Sequence, residues 1–184
     1  MAVPELSAEA VAAGREYYEA LRTLGMHPEG VFWAYDEAAD EQALILLTSL
    51  YDMVGPYEVS KLLIKAYNLS ATPQDVSPFI VQVHGPTQDV AIAAADFCRN
   101  LKGLTLQTRI EGEAGWAEIK LGEPVKPWVD GERYLRPDPH FHIEGTALTL
   151  YVEGFIHIAD KPLRVDQRKR EWARFSSRVN ALAA

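Results

Sequence analysis

The densest run of chemistry-bearing side chains in this 184-residue sequence is Pro139-His140-Phe141-His142-Ile143-Glu144-Gly145-Thr146, followed by Ala147 to Glu153. Two histidines at i and i+2 of a strand share a face about 6.6 Å apart, close enough to chelate one metal ion. Glu144 would lie about 13 Å along the strand from His140, too far to complete a compact site with it. The third ligand must come from elsewhere, and His84 is the attractive candidate. The competing readings are a polar, partly wet sheet face and acid–base use of one histidine.

Other spacings carry weaker chemistry. Glu118-Ile119-Lys120 is a fragment of a nuclease-like acid–lysine pattern, with Glu111 or Glu113 as its second acid. Alternating charges on a wet strand have the same appearance. His84-Gly85-Pro86-Thr87 falls where a strand meets a helix N-terminus, a place that can hold an anion. Pro86 removes one donor there, and no phosphate-binding glycine pattern accompanies it. Cys98 is the one cysteine, so no intramolecular disulfide or Cys-rich zinc site is available. It sits beside Phe97 as a small packing residue rather than a nucleophile.

Charge is segregated along the chain. Eighteen basic against 26 acidic residues give a net charge of −8. Lys161 to Arg178 holds seven basic and two acidic residues, a local +5, which leaves −13 on residues 1–160. The predicted helix over 161–183 pairs an apolar stripe, Val165, Trp172, Phe175, Val179 and Leu182, with Arg170, Arg174 and Arg178 on another face. The helix is expected to lie on the acidic body or on a second copy, with its basic face half neutralised. The alternatives are an acidic partner protein, for which these three arginines are the candidate contacts, and local contact with nucleic-acid phosphates. The acidic body disfavours nucleic acid and anionic lipid, so neither is an expected partner.

Four prolines fall within residues 122–139, around Trp128-Val-Asp130-Gly131-Glu-Arg-Tyr134. Asp130-Gly131 is a hairpin signal. The segment reads either as a protruding hairpin packed down by Trp128 and Tyr134, or as an arm or lid with these two as candidate partner-binding aromatics.

These groups need elements to position them. Ser7 caps a first helix, Leu6 and Val11 form its staple, and Gly25 stops it. Val31, Trp33 and Tyr35 alternate as a strand. An acidic turn at 36–41 leads into Ala43 to Leu47, apolar throughout and therefore covered on both faces. Pro56 opens a helix with Val59, Leu62, Leu63 and Ala66 inward and Asn68 as a left-handed cap. A strand over 79–83, a helix with Val90, Ala94, Phe97 and Leu101 inward, and strands at 104–110 and 116–121 follow. Parallel crossovers are expected wherever the strands of this β-α-β-α-β run share a sheet.

The histidine strand is expected to form a hairpin at Gly145-Thr146, pairing His142 with Thr149 and His140 with Tyr151. Phe141, Ile143, Leu148, Leu150, Val152, Ile156 and Ile158 would then share one face, opposite the histidines, Tyr151 and Phe155.

The expected architecture is one α+β domain over 1–184. Its sheet is mixed and mainly antiparallel with βαβ crossovers, helices pack on it, and the C-terminal helix is amphipathic. Apolar residues at 48% and charged residues at 24% are globular proportions. The acidic N-terminus lacks a secretory pattern and no apolar run is long enough to span a membrane, so a cytoplasmic protein is expected. The expected function is a non-catalytic interaction or accessory protein that self-associates, without a cofactor. The alternatives are a divalent-metal enzyme using His140 and His142, and a small-ligand binder with the 122–139 arm as lid.

Overall fold

A computed structural model describes residues 3–101, 106–109, 116–119, 126–127, 140–159 and 161–183. The first helix, α1 (Ala8–Thr23), starts where the Ser7 side chain accepts a hydrogen bond from the Ala10 N–H at 3.1 Å. It is followed by Gly25 at φ +91°, a conformation that suits glycine at a helix end. Leu6 and Val11 both join the core below it.

Strands β1 (Gly30–Asp36) and β2 (Glu41–Leu47) pair antiparallel. Asp36 Oδ1 caps the intervening turn, accepting from the N–H groups of Ala38 and Ala39. As its unbroken apolar run predicts, β2 is covered on both faces. Leu44 and Leu46 enter one core, and Ala43, Ile45 and Leu47 the other.

Two helices follow, α2 (Leu50–Val54) and α3 (Pro56–Asn68), joined at Gly55 with φ +86°. The short α2 has no counterpart in the sequence reading. In α3 the buried residues are Val59, Leu62, Leu63 and Ala66, as expected. Asn68 stays helical, and the left-handed position falls on Ser70 at φ +54°. Strand β3 (Val81–His84) then pairs parallel with β2, which completes one crossover. Phe79 falls outside the strand and is exposed.

Helix α4 (Asp89–Leu101) does not complete a second crossover. The strands after it, β4 (Leu106–Arg109), β5 (Trp116–Ile119) and β6 (Lys126–Pro127), form a separate three-stranded sheet. Alternation shows that these segments are extended but carries no information about which sheet they join. The chain returns to the main sheet through β7 (His140–His142) and β8 (Leu148–Ile158), giving the order β3-β2-β1-β8-β7. Helix α5 (Val165–Ala181) ends the fold, shorter than the 161–183 stretch of the sequence reading. The class is α+β.

The β7–β8 register matches expectation: His140 opposes Tyr151, Phe141 opposes Leu150 and His142 opposes Thr149. A turn closes it, with the Thr146 N–H donating to the Ile143 carbonyl at 3.1 Å and Gly145 at φ +80°. Tyr151 and Ile158 keep their expected sides, but Phe155 and Ile156 exchange theirs. Tyr151 to Gly154 together stand opposite Trp33, because Leu150 pairs with Ala34 and Phe155 with Phe32. This irregularity reverses the alternation. Phe155 stacks on Phe32 at 5.1 Å, whereas Ile156 packs into the opposite core with Trp33.

Two cores result, one on each side of the five-stranded sheet. Residues of α1, α3 and α5 cover one side with Tyr17, Leu21, Leu63, Phe175 and Val179. On the other side α4 packs Val90, Ala91 and Ala94 over Phe32, Ile45 and Leu150. The apolar stripe of α5 is buried only in part. Phe175 and Val179 are inside, but Val165 and Leu182 are exposed. Among the described residues no helix is long and apolar enough to cross a membrane.

Candidate functional site

The three candidate metal histidines are not brought together. His140 and His142 lie on β7 and His84 on β3, the two opposite edges of the five-stranded sheet. Four inter-strand steps separate them, about 19 Å. Each is occupied locally. His84 Nδ1 lies 3.2 Å from Gln88 Oε1, and burial lowers its basicity. His140 meets the edge of the Tyr151 ring, centroid to centroid 5.5 Å. His142 Nδ1 lies 3.3 Å from Glu37 Oε1 and 3.2 Å from Thr149 Oγ1, while the Thr149 hydroxyl donates to Glu37 at 2.7 Å. That is a half-exposed polar cluster in which hydroxyl and carboxylate both approach the same imidazole nitrogen. Among the described residues no three His, Cys, Asp or Glu side chains are grouped to hold a metal ion.

The Gly85 N–H donates to Gln88 Oε1 at 2.8 Å, so the strand–helix junction spends that donor on its own side chain. Cys98 is a partly buried thiol on α4, and the sequence holds no second cysteine to pair with it. Trp128, Tyr134, Asp130, Gly131, Glu111, Glu113 and Lys120 lie outside the described residues.

The terminal arginines have intramolecular work. Arg178 donates to the carbonyl of Thr23, where α1 leaves carbonyls without helical partners. The aliphatic part of Arg174 covers Gly25, so closely that a Cβ there would lie 2.6 Å from Arg174 Cδ. Arg170 is exposed. Between them Glu171 is buried. Burial pushes its carboxyl up to about 7, the His27 N–H bond pulls it down, and neighbouring Glu29 pushes it further up. Glu29 is itself buried and accepts from the N–H groups of Ser49 and Leu163, at 2.8 and 3.1 Å. These two carboxylates hold the entry to α5 and its first turns against β2 and the end of α1.

One concave surface stands out. Between α4 and β7 lies an open groove of about 730 Å³, walled by Ile92, Ala93 and Phe97 on the helix and by Phe141 and Ile143 on the strand side. Asp89, Asp96, His142 and Glu144 complete its lining. Its floor is continuous with the core through ring contacts: Phe97 meets Phe141 at 5.1 Å and Phe155 at 5.4 Å. Ile92 is 50% exposed and Phe141 39%, one on each wall. Sequence patterning missed this groove. Its one legible signal was Ile92, an apolar residue off the buried stripe of Val90, Ala94 and Phe97.

Compared with known proteins, the chain matches no family model, no curated protein and no solved structure.

Proposed function

We propose that this chain is a non-catalytic interaction or accessory protein that self-associates, and that the α4–β7 groove is where a second chain docks. The groove itself carries this reading: two apolar side chains face solvent across one concavity whose rim is polar. Covering them with a partner removes apolar surface from water, which is the ordinary driving force of association. The adjoining edge supports it, because β7 is only three residues long and pairs with β8 alone among the described strands. Unpaired backbone groups on such an edge are a template for another segment.

The setting proposed is the cytoplasm, with the protein itself as first partner and an acidic protein surface against α5 as the second. Nucleic acid and cofactors are not part of the proposal. Sedimentation velocity across a wide concentration range tests it. Wild type is expected to associate, and Ile92→Lys, at an exposed position, to remain monomeric with unchanged circular dichroism. A wild-type protein that stays monomeric at every concentration refutes the reading.

A second reading has one observation in its favour. The groove volume lies within the range of about 300 to 1,000 Å³ usual for small-molecule sites. A metabolite that raises the melting temperature of wild type but not of Ile92→Lys would favour it.

A further inference from the structure

The self-association proposed above leaves open which surface enters the groove, and a second exposed apolar residue supplies a candidate. Val165, at the start of α5, is 64% exposed. Residues 161–170 around it carry Lys161, Arg164, Arg168, Lys169 and Arg170 against the single acid Asp166. Arg168 is engaged with its own turn, its Nε donating to the Leu163 carbonyl at 2.9 Å. Lys161, Arg164 and Lys169 are exposed. The groove is the complement of this patch in both respects. Its walls expose Ile92 and Phe141, and Asp89 and Glu144 on its lining are exposed carboxylates.

We infer that the first turns of α5, with Val165 as the apolar knob and Lys161, Arg164 and Lys169 around it, dock into the α4–β7 groove of a second copy. The inference rests on the self-association reading and names its two mating surfaces. Within one copy the contact is closed off, because α4 packs on one side of the five-stranded sheet and α5 on the other. Two different patches facing opposite ways make a head-to-tail contact. Each added copy therefore leaves one groove and one helix end free until the assembly closes into a ring, and where it does not close it grows as an open chain. The acidic surface expected to meet the basic helix is then the rim of the protein's own groove. An interface built on a few apolar contacts and exposed charges is weak and salt-sensitive.

Charge exchange tests this. Lys161→Glu/Lys169→Glu makes the helix end acidic, and Asp89→Lys/Glu144→Lys makes the groove basic. Each variant alone is expected to need at least about tenfold more protein to associate than wild type does. An equimolar mixture of the two recovers association, because each orphaned surface finds its opposite charge. Val165→Asp, at an exposed position, is expected to weaken association without reversing a basic residue, which guards against a folding defect in the charge variants. Association of wild type that neither pair alters, or that the mixture fails to recover, overturns the docking but leaves self-association standing. An assembly that stops at a dimer overturns the head-to-tail arrangement. A wild-type monomer removes both this inference and the reading beneath it.

Discussion

Replacing Glu171 with glutamine should make the protein more stable, and increasingly so as the pH rises. Glu171 is buried, and its carboxyl is raised from an ordinary 4.5 to about 7, chiefly by desolvation. Below pH 4.5 the group is protonated in both folded and unfolded chains and contributes nothing to pH dependence. As pH rises toward 7 the unfolded chain gives up its proton first, so the folded state loses ground. Above 7 the loss is complete, at about 3 kcal/mol. Glutamine keeps an oxygen to accept the His27 N–H bond, now 3.0 Å, and carries no charge to desolvate.

Three histidines shift the other way. His27, His84 and His157 are all lowered, mainly by burial, so each adds stability as pH rises through the ordinary imidazole range. Subtracting the variant's stability from wild type's removes most of this background. Urea unfolding of both proteins at pH 5 and pH 8 is the assay. The stability difference in favour of Glu171→Gln should widen by about 2 to 3 kcal/mol between the two pH values, or about 5 to 10 °C in melting temperature. A difference that stays constant, or that narrows toward pH 8, refutes the assignment of a desolvated carboxyl.

Two glycines give sharper structural tests. Gly14 to alanine should gain about 1 kcal/mol from helix propensity. A Cβ there would lie 2.6 Å from both Ile156 Cδ1 and Trp33 Nε1, however, so overpacking of about 1 to 3 kcal/mol should win and lower the melting temperature. A more stable Gly14→Ala variant would show that α1 can lift off the sheet without cost. Gly25→Ala meets two costs, a left-handed backbone at φ +91° worth about 1 kcal/mol and the Arg174 side chain against the new Cβ. Adding Arg174→Ala should recover only the second; full recovery in the double variant's thermal unfolding would deny the backbone cost.

What was legible in the sequence was whatever short-range periodicity determines. Ser7, Gly25 and Pro56 mark helix ends by their own backbone chemistry, and the apolar run of β2 announces two covered faces. The β7–β8 register was readable because one pairing sorts both strands. The same reasoning failed four residues later, at the bulge opposite Trp33, since an alternation rule carries no mark of where a strand kinks. It failed again at β4, where strand character was visible but sheet membership depends on long-range pairing.

The candidate sites divide in the same way. His140 and His142 were correctly placed on one strand, but whether His84 could join them depended on strand order, which local patterning does not encode. The arginines of α5 read as a partner surface because their spacing is helical and their charge exceeds that of their surroundings. Two of the three serve first to finish α1, by capping its last carbonyl and shielding Gly25. The basic charge left for another molecule therefore moves to the start of the helix, beside the exposed Val165. Across the sheet, an exposed apolar groove with carboxylates on its rim has the opposite character. A charge split that the sequence displays along the chain becomes, in three dimensions, two complementary surfaces that one copy cannot bring into contact by itself.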